Sequence, residues 1–136
     1  MPNRIFVDTS FVIALINEDD QYHKPAQALS HEFEASPLIT TDAVLLEIGN
    51  ALAKDFRKQA VDVIKVFRSG SNTEVLDVDE RLFEMGLEIF ERYADKDWGL
   101  VDCISFAAMW DQGITEVLTF DGDFQQAGFT ILKCRQ

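Results

Sequence analysis

Short apolar segments alternate with helical patterns along the chain, and this alternation is what most constrains the fold. Apolar runs of three to five residues are too short to be core helices and are typical of buried strands. Strands that are separated by helices form parallel sheets, because a parallel connection needs a long crossover. The predicted strands are Ile5–Val7, Pro37–Thr40, Glu74–Val78, Val117–Phe120 and Phe129–Lys133.

Six segments between these strands have helical spacing or helix-capping residues. We expect helices over Phe11–Ile16, Tyr22–Phe33, Ala43–Lys54, Lys58–Arg68, Arg81–Tyr93 and Leu100–Gln112. The alternating order predicts an α/β fold, a three-layer α/β/α sandwich around a mainly parallel sheet of about five short strands. The length of 136 residues suits a single domain spanning residues 1–136.

Composition and charge exclude several classes of protein. A hydrophobic content of 47% is incompatible with a disordered chain, and no apolar run approaches the roughly 18 residues of a membrane span. Without a signal segment, the expected location is the cytoplasm. The net charge of −12 excludes a generic nucleic-acid binder that relies on its own basic residues. The acidity indicates avoidance of polyanions, use of bound cations, or solubility alone.

Two carboxylates directly follow predicted strands. Asp8 comes after the first strand and Asp121 after the fourth. Each could also be an ordinary helix cap or turn residue, and Asp121 begins an Asp-Gly-Asp turn signal. In open parallel sheets, however, ligands bind at the carboxyl ends of the strands, which is where both side chains would lie.

Two more carboxylates interrupt apolar helical segments. The segment 43–53 is apolar nearly all round, which predicts a buried helix, and only Glu47 and Asn50 break it, on one face. Asp102 and Ser105 share a face of the last long helix in the same way. The alternatives are a buried salt bridge or backbone hydrogen bond for Glu47 and a helix-dipole position for Asp102.

If the four carboxylates converge, they repel one another and raise each other's pKa values. A hard divalent cation relieves that repulsion, and ligands that are all oxygen suit Mg²⁺ or Mn²⁺. His23 and His31 are expected on the surface, and Cys103 and Cys134 are too few for a disulfide framework or a zinc site.

The motifs, taken in order, resemble the PIN-domain family over essentially the whole chain, most closely the small VapC-type ribonuclease toxins. The resembling segments are residues 6–10, 47–52, 97–106 and 118–124, with Gly128 and Phe129. The resemblance implies an acidic metal cluster at Asp8, Glu47, Asp102 and Asp121, with Asp123 sharing or replacing the role of Asp121. The number of metal ions stays open.

The resemblance also implies roles for neighbouring polar residues. Side chains that would support the acids or contact substrate are Thr9, Ser10, Asn50, Ser105, Thr119 and Asp123. Gly99 departs from the family pattern, since many relatives carry Ser there. A basic stripe could guide a phosphate backbone or simply be a solvated helix surface; it consists of Lys54, Arg57, Lys58, Lys65 and Arg68.

The activity that the resemblance implies is metal-dependent hydrolysis of RNA phosphodiester bonds by an endoribonuclease toxin. Such a toxin would form a homodimer and be silenced by a small antitoxin. Two other classes stay open: a non-catalytic PIN-like scaffold and another Mg²⁺-dependent phosphate-handling enzyme. An Asp-nucleophile phosphotransferase usually has a second Asp two residues after the first, where this chain has Ser10.

Overall fold

The computed structural model describes residues 3–135 and contains, within them, five strands and seven helices. The strands are β1 (Ile5–Val7), β2 (Leu38–Thr41), β3 (Thr73–Leu76), β4 (Glu116–Leu118) and β5 (Thr130–Ile131). The helices are α1 (Thr9–Ile16), α2 (His23–Glu32), α3 (Asp42–Leu52), α4 (Arg57–Ser69), α5 (Glu80–Arg92), α6 (Leu100–Gln112) and α7 (Asp123–Gln126). Every predicted element is present, and α7 is an addition.

The sheet has the strand order β3-β2-β1-β4-β5, and every neighbouring pair is parallel. All three residues of β1 are buried, so helices cover both faces of the sheet. The predicted three-layer α/β/α architecture is therefore confirmed. The chain builds outward from β1 to β3, then crosses to the other side of β1 for β4 and β5. This reversal creates a switch point between β1 and β4, where open α/β sheets bind ligands.

Two threonines at the end of β2 tie the sheet to α3. The Thr40 hydroxyl donates a hydrogen bond to the Val7 carbonyl at 2.8 Å, and the Thr41 hydroxyl accepts one from the Val44 N–H at 3.2 Å. The second bond is an N-terminal cap, which satisfies a backbone donor that the helix itself cannot pair. Together they fix the start of α3 at the carboxyl edge of the sheet.

An aromatic cluster fastens the carboxyl-terminal part of the fold. The Phe106 ring on α6 makes edge-to-face contacts with Phe124 at 4.9 Å and Trp98 at 5.0 Å between ring centroids. The Trp98 indole N–H also donates to the Gln126 side chain at 3.1 Å. These contacts hold α7 against α6, although four residues are too few for a helix that is stable by itself.

Some predicted boundaries were wrong because other hydrogen bonds replace the strand ladder at the ends of the strands. β4 ends at Leu118 rather than Phe120, since the Phe120 N–H donates to the Ser10 hydroxyl at 3.0 Å. β3 ends at Leu76 rather than Val78, whose N–H donates to the Asp42 carboxylate at 3.0 Å. β5 begins after Phe129, because the Phe129 N–H closes the end of α7 on the Phe124 carbonyl at 3.0 Å.

The prediction that α3 is a buried helix was wrong for one of its faces. One face packs into the core, but Leu46 is 70% exposed and Asn50 and Ala51 lie on the surface. Both cysteines are free thiols. His31 is exposed, whereas His23 is half-buried and its Nδ1 lies 2.8 Å from the Ala14 carbonyl. No helix within residues 3–135 is both long enough and apolar enough to cross a membrane.

Two helical glycines should respond oppositely to alanine. A Cβ on Gly86 of α5 would lie 2.5 Å from Cγ1 and 2.9 Å from Cα of Ile104, so Gly86→Ala overpacks the α5–α6 contact. We expect a loss of about 1–3 kcal/mol in the free energy of unfolding. A Cβ on Gly49 of α3 would find its nearest neighbour at 3.9 Å, so Gly49→Ala should gain about 0.5–1 kcal/mol from helix propensity. Urea unfolding of the two variants measures both values, and equal effects would contradict this packing.

Candidate metal centre

The predicted acids gather at the carboxyl edge of the sheet, at the switch point between β1 and β4. Asp8 directly follows β1, and its backbone N–H continues the pairing with β4 by donating to the Leu118 carbonyl at 3.1 Å. Its side chain is only 3% exposed. One carboxylate oxygen, Oδ2, accepts hydrogen bonds from the Thr119 hydroxyl at 2.7 Å and the Ser10 hydroxyl at 2.9 Å. Asp8 is therefore a fixed, buried carboxylate.

Three other carboxylates lie close enough to share one cation. Oxygen atoms of Asp102, Asp121 and Asp123 all fall within 4.8 Å of one another, and the three residues are half-buried. Asp102 lies in the first turn of α6 and Asp123 in the first turn of α7. The Asp123 N–H donates to Asp121 Oδ1 at 2.9 Å, which fixes the two relative to each other. The sequence left Asp121 and Asp123 as alternatives, and the fold brings both into the cluster.

Glu47 reaches the same region from α3. It is half-buried, and its Oε1 accepts a hydrogen bond from the Thr9 hydroxyl at 2.7 Å. The salt bridge considered for Glu47 is not among the ion pairs of residues 3–135. The charge of Glu47 raises the pKa of Asp102, so α3 also contributes an acid to the centre.

Burial and mutual repulsion raise the pKa values of three of these acids. Asp102 is raised to about 8, first by burial and then by the charges of Asp8, Asp121, Glu47 and Asp123. Burial also raises the pKa of Asp8, against the opposing effect of its hydroxyl donors. The pKa of Asp123 is raised by partial burial and by Asp121. Shifts of this origin indicate a site where negative charge is concentrated without basic partners.

Hydroxyl groups organise the loop after β4. The Ser10 and Thr119 hydroxyls lie 3.0 Å apart, and both donate to Asp8. They also accept backbone N–H bonds, from Phe120 to Ser10 and from Asp121 to Thr119, each at 3.0 Å. The two side chains thus satisfy the backbone where the strand ends and orient Asp8 and Asp121 at once.

Other predicted residues are less closely tied to the centre. Asn50 is exposed on α3, and Ser105 is fully buried one turn after Asp102. Within the described residues, the Ser105 hydroxyl has no hydrogen-bond partner. The five residues of the basic stripe are all exposed: Lys54, Arg57, Lys58, Lys65 and Arg68. All of them except Lys54 lie on α4. At 100° of rotation per residue, these four side chains fall within about 100° of one another around the helix axis, which is one face of α4.

Sequence reasoning missed two contributors to the site. Asp97, in the loop before α6, raises the pKa of Asp123 through its charge. Trp98 supports the α7 segment through the bond from its indole N–H to Gln126. Both residues belong to the segment 97–106, just ahead of Asp102, and this position could have indicated them. The sequence does not show, however, which side chains of a loop lie near the acids.

The donor set fits a hard divalent cation. Three half-buried carboxylates with oxygens within 4.8 Å supply the oxygen ligands and negative charge that such ions prefer. The only imidazoles and thiols in the chain are His23, His31, Cys103 and Cys134, and none belongs to this cluster. The described residues around the trio can therefore hold a metal ion.

The raised pKa of Asp102 should make the metal-free protein less stable at alkaline pH. The group titrates near its ordinary value of 3.8 when unfolded and near 8 when folded, so the folded state holds more protons between those values. Stability then falls as pH rises through this window. In EDTA, Asp102→Asn should raise the free energy of unfolding at pH 8 by at least about 1 kcal/mol and have less effect at pH 4.

Asp111→Asn is the matched control for this experiment, because Asp111 is an exposed carboxylate at the other end of the same helix, paired with Arg81 at 2.6 Å. It should not flatten the pH dependence, since the pKa of Asp111 is lowered by that partner. Urea unfolding from pH 4 to 9 measures the effect. A pH profile that is the same in Asp102→Asn and wild type would contradict the raised pKa.

Comparison with known proteins gives an independent result. The family model described as PIN domain matches residues 5–130. The 23S rRNA-specific endonuclease VapC20 of Mycobacterium tuberculosis is 35% identical over 131 residues, which cover 95% of this chain and 98% of that protein.

Solved structures agree with this result. The crystal structure of Mycobacterium tuberculosis VapC20, described as a sarcin-ricin loop cleaving toxin, has a TM-score of 0.84 at 33% identity, covering 95% of this chain and 98% of that one. DNA-bound VapBC from Salmonella typhimurium shares the fold, with a TM-score of 0.67 at 20% identity and coverage of 97% and 98%. The resemblance inferred from the sequence is confirmed: the chain belongs to the PIN-domain family.

Proposed function

We propose that this protein is a metal-dependent endoribonuclease that uses Mg²⁺ or Mn²⁺. The observation that carries the proposal is the gathering of Asp102, Asp121 and Asp123 within 4.8 Å at the switch point of the sheet, beside buried Asp8. Such a concentration of acids is costly in a folded protein unless a cation neutralises it. A cation bound here also removes the conflict between a net charge of −12 and a polyanionic substrate.

Relatives support a particular class of RNA and a biological role. The relative that is 35% identical is named as an endonuclease of 23S rRNA, so ribosomal RNA is the first substrate to test. Solved structures with the same fold include a toxin–antitoxin complex from Klebsiella pneumoniae and a member of the VapBC family of toxin–antitoxin systems from Mycobacterium tuberculosis. We therefore assign this chain the role of the toxin in such a pair, with a small antitoxin as partner. A homodimer, a single domain over residues 1–136 and a cytoplasmic location complete the proposal.

In the proposed reaction, the acids would bind metal and the hydrogen-bond donors around them would fix their positions. Asp8, Asp102, Glu47, Asp121 and Asp123 would hold one or two ions. A bound divalent cation would lower the pKa of the attacking water, and it would offset the charge that develops on the phosphate. The protein supplies position: hydroxyl donors fix one oxygen of Asp8, and the bond between Asp123 N–H and Asp121 fixes those two acids.

Polar side chains around the acids would hold the acids in place or contact the RNA. Thr9 orients Glu47 through its 2.7 Å hydrogen bond. Ser105 is fully buried one turn after Asp102, so it is not in a position to contact RNA. Asn50 is exposed on the same helix as Glu47, where it could contact RNA. The exposed basic face of α4 would attract the phosphate backbone at longer range, although Asp62 pairs with Lys58 at 3.4 Å and dilutes it.

Loss of one acid of the trio should abolish cleavage. We expect Asp102→Asn to reduce RNA cleavage by at least about 100-fold, as is typical when a group that stabilises the transition state is removed. The assay uses ribosomal RNA and a mixed RNA pool with Mg²⁺, Mn²⁺ or EDTA, and sequencing of the new ends maps the cleavage site. Asp111→Asn, at the far end of α6, should cleave like wild type.

The same assay separates the competing interpretations. Cleavage by wild type that persists in Asp102→Asn would assign the activity to a contaminant or to another site. Absence of cleavage in every RNA, together with metal binding, would favour the non-catalytic scaffold instead.

Metal binding should stabilise the folded protein through the same residues. A cation at 100 times its dissociation constant adds about 2.7 kcal/mol to the free energy of unfolding, so Mn²⁺ or Mg²⁺ should raise the Tm of wild type. Asp102→Asn should lose most of this increase, whereas Asp111→Asn should keep it. Thermal unfolding monitored by circular dichroism, with and without metal, measures the difference; equal shifts in all three proteins would place metal binding elsewhere.

A further inference from the structure

A groove lies directly beside the acidic cluster, between α2, the loop after β4, and β5. We call it the aromatic groove; its volume is about 820 Å³, within the range of sites that hold small ligands. Thr119 and Gly122 line it. The Thr119 hydroxyl also donates to Asp8, and Gly122 separates Asp121 from Asp123. The groove and the acidic cluster therefore share a wall.

A column of three aromatic rings runs from the core to this groove. Buried Phe11 stacks on Phe120 with ring centroids 6.1 Å apart, and Phe120 stacks on Tyr22 at 4.6 Å with an interplanar angle of 3°. Tyr22, at the outer end, is 41% exposed and lines the groove. A flat ring that is held from behind and exposed in front is suited to stacking with another planar ring.

The groove also presents two positively charged side chains. Lys24 and Lys133 both line it and are both exposed. Neither takes part in an ion pair within the described residues. Proteins that bind single-stranded nucleic acids combine aromatic side chains with positive charge, because the bases stack on the rings and the phosphates are attracted to the lysines.

We propose that the aromatic groove binds one unpaired nucleotide of the RNA, next to the phosphate that is cleaved. The base stacks on Tyr22, and Lys24 and Lys133 contact the phosphates on either side of it. This inference rests on the proposed nuclease function and adds a substrate subsite to it. A peptide is the poorer occupant, because a basic segment that neutralised the acids would meet two lysines in the adjoining groove.

A double-mutant cycle between protein and RNA tests the stacking contact. The RNA is a short oligonucleotide that contains the mapped cleavage site, and abasic residues replace the flanking nucleotides one at a time. Tyr22→Leu should lower kcat/KM by about 5- to 160-fold, the range for loss of one stacked base. One abasic substitution should lower wild-type kcat/KM similarly, and the two changes together should cost little more than either alone.

Matched variants keep this result specific. Tyr22→Phe retains the ring and should cleave close to the wild-type rate. Phe83→Leu removes an aromatic side chain of similar exposure, 43%, on α5 and should leave kcat/KM unchanged.

The salt dependence of KM tests the lysines. Lys24→Gln and Lys133→Gln should each reduce the slope of log KM against log salt by about 0.7, as expected for one lost phosphate contact on a single strand. Lys96→Gln, away from the groove lining, should not reduce it.

The outcomes distinguish this proposal from the nuclease itself. If wild type cleaves RNA and Tyr22→Leu cleaves equally well, the groove proposal is overturned and the nuclease stands. If Tyr22→Leu cleaves normally but escapes inhibition by the antitoxin, the groove binds a peptide and the proposal is again overturned.

If wild type cleaves no RNA, the nuclease proposal fails and photocrosslinking decides about the groove. An oligonucleotide with 4-thiouridine, irradiated with the full chain in EDTA or Mn²⁺ and mapped by mass spectrometry, should label the residues around Tyr22. Labelling elsewhere, or labelling that Tyr22→Leu leaves unchanged, would overturn the proposal.

Discussion

The repulsion among carboxylates at one edge of the sheet is the constraint on which the rest of this structure depends. Asp8 is buried at the end of the central strand. Three more acids have oxygens within 4.8 Å of one another, and the charge of Asp8 raises the pKa of one of them, Asp102. Such an arrangement opposes folding, as the rise of the Asp102 pKa to about 8 indicates. The surrounding scaffold offsets this cost with a well-packed core and with hydroxyl groups that donate to Asp8.

The hydroxyl groups have a second role that links the fold to the site. Ser10 and Thr119 bind both a carboxylate and the backbone where β4 ends. The chain can leave the sheet there without an unpaired donor, and the same bonds aim the loop that carries Asp121. Local structure and the arrangement of the acids are thus determined by the same few contacts.

Periodicity and capping predicted the order of elements well, because each strand and helix has its own apolar pattern. α6 begins at Leu100 and ends at Gln112 as predicted, since Gly113 adopts the left-handed conformation that ends a helix. The candidate acids were also recognisable, because a carboxylate at a strand end or within an apolar helix is unusual. Only the fold could show that Asp121 and Asp123 both lie beside Asp102, since Asp102 is on a different helix, α6.

Contacts between distant residues were beyond the reach of sequence patterns. Nothing local to Tyr22 indicates that it stacks on Phe120, nor does Trp98 indicate a bond to Gln126. The exposure of Leu46 was misjudged for the same reason, because an apolar helix does not reveal which of its faces lacks a neighbour. Position in the fold, rather than residue type, decides these features.

The switch-point topology also has a consequence for the order in which this protein matures. The acids that meet at the centre come from the ends of β1 and β4 and from α3, α6 and α7, so they span nearly the whole described chain. While the ribosome is still making the segment before β4, the partial chain lacks Asp121 and Asp123 and has no complete cation site. The cation site is thus completed only after the last segments of the chain have been made and have folded.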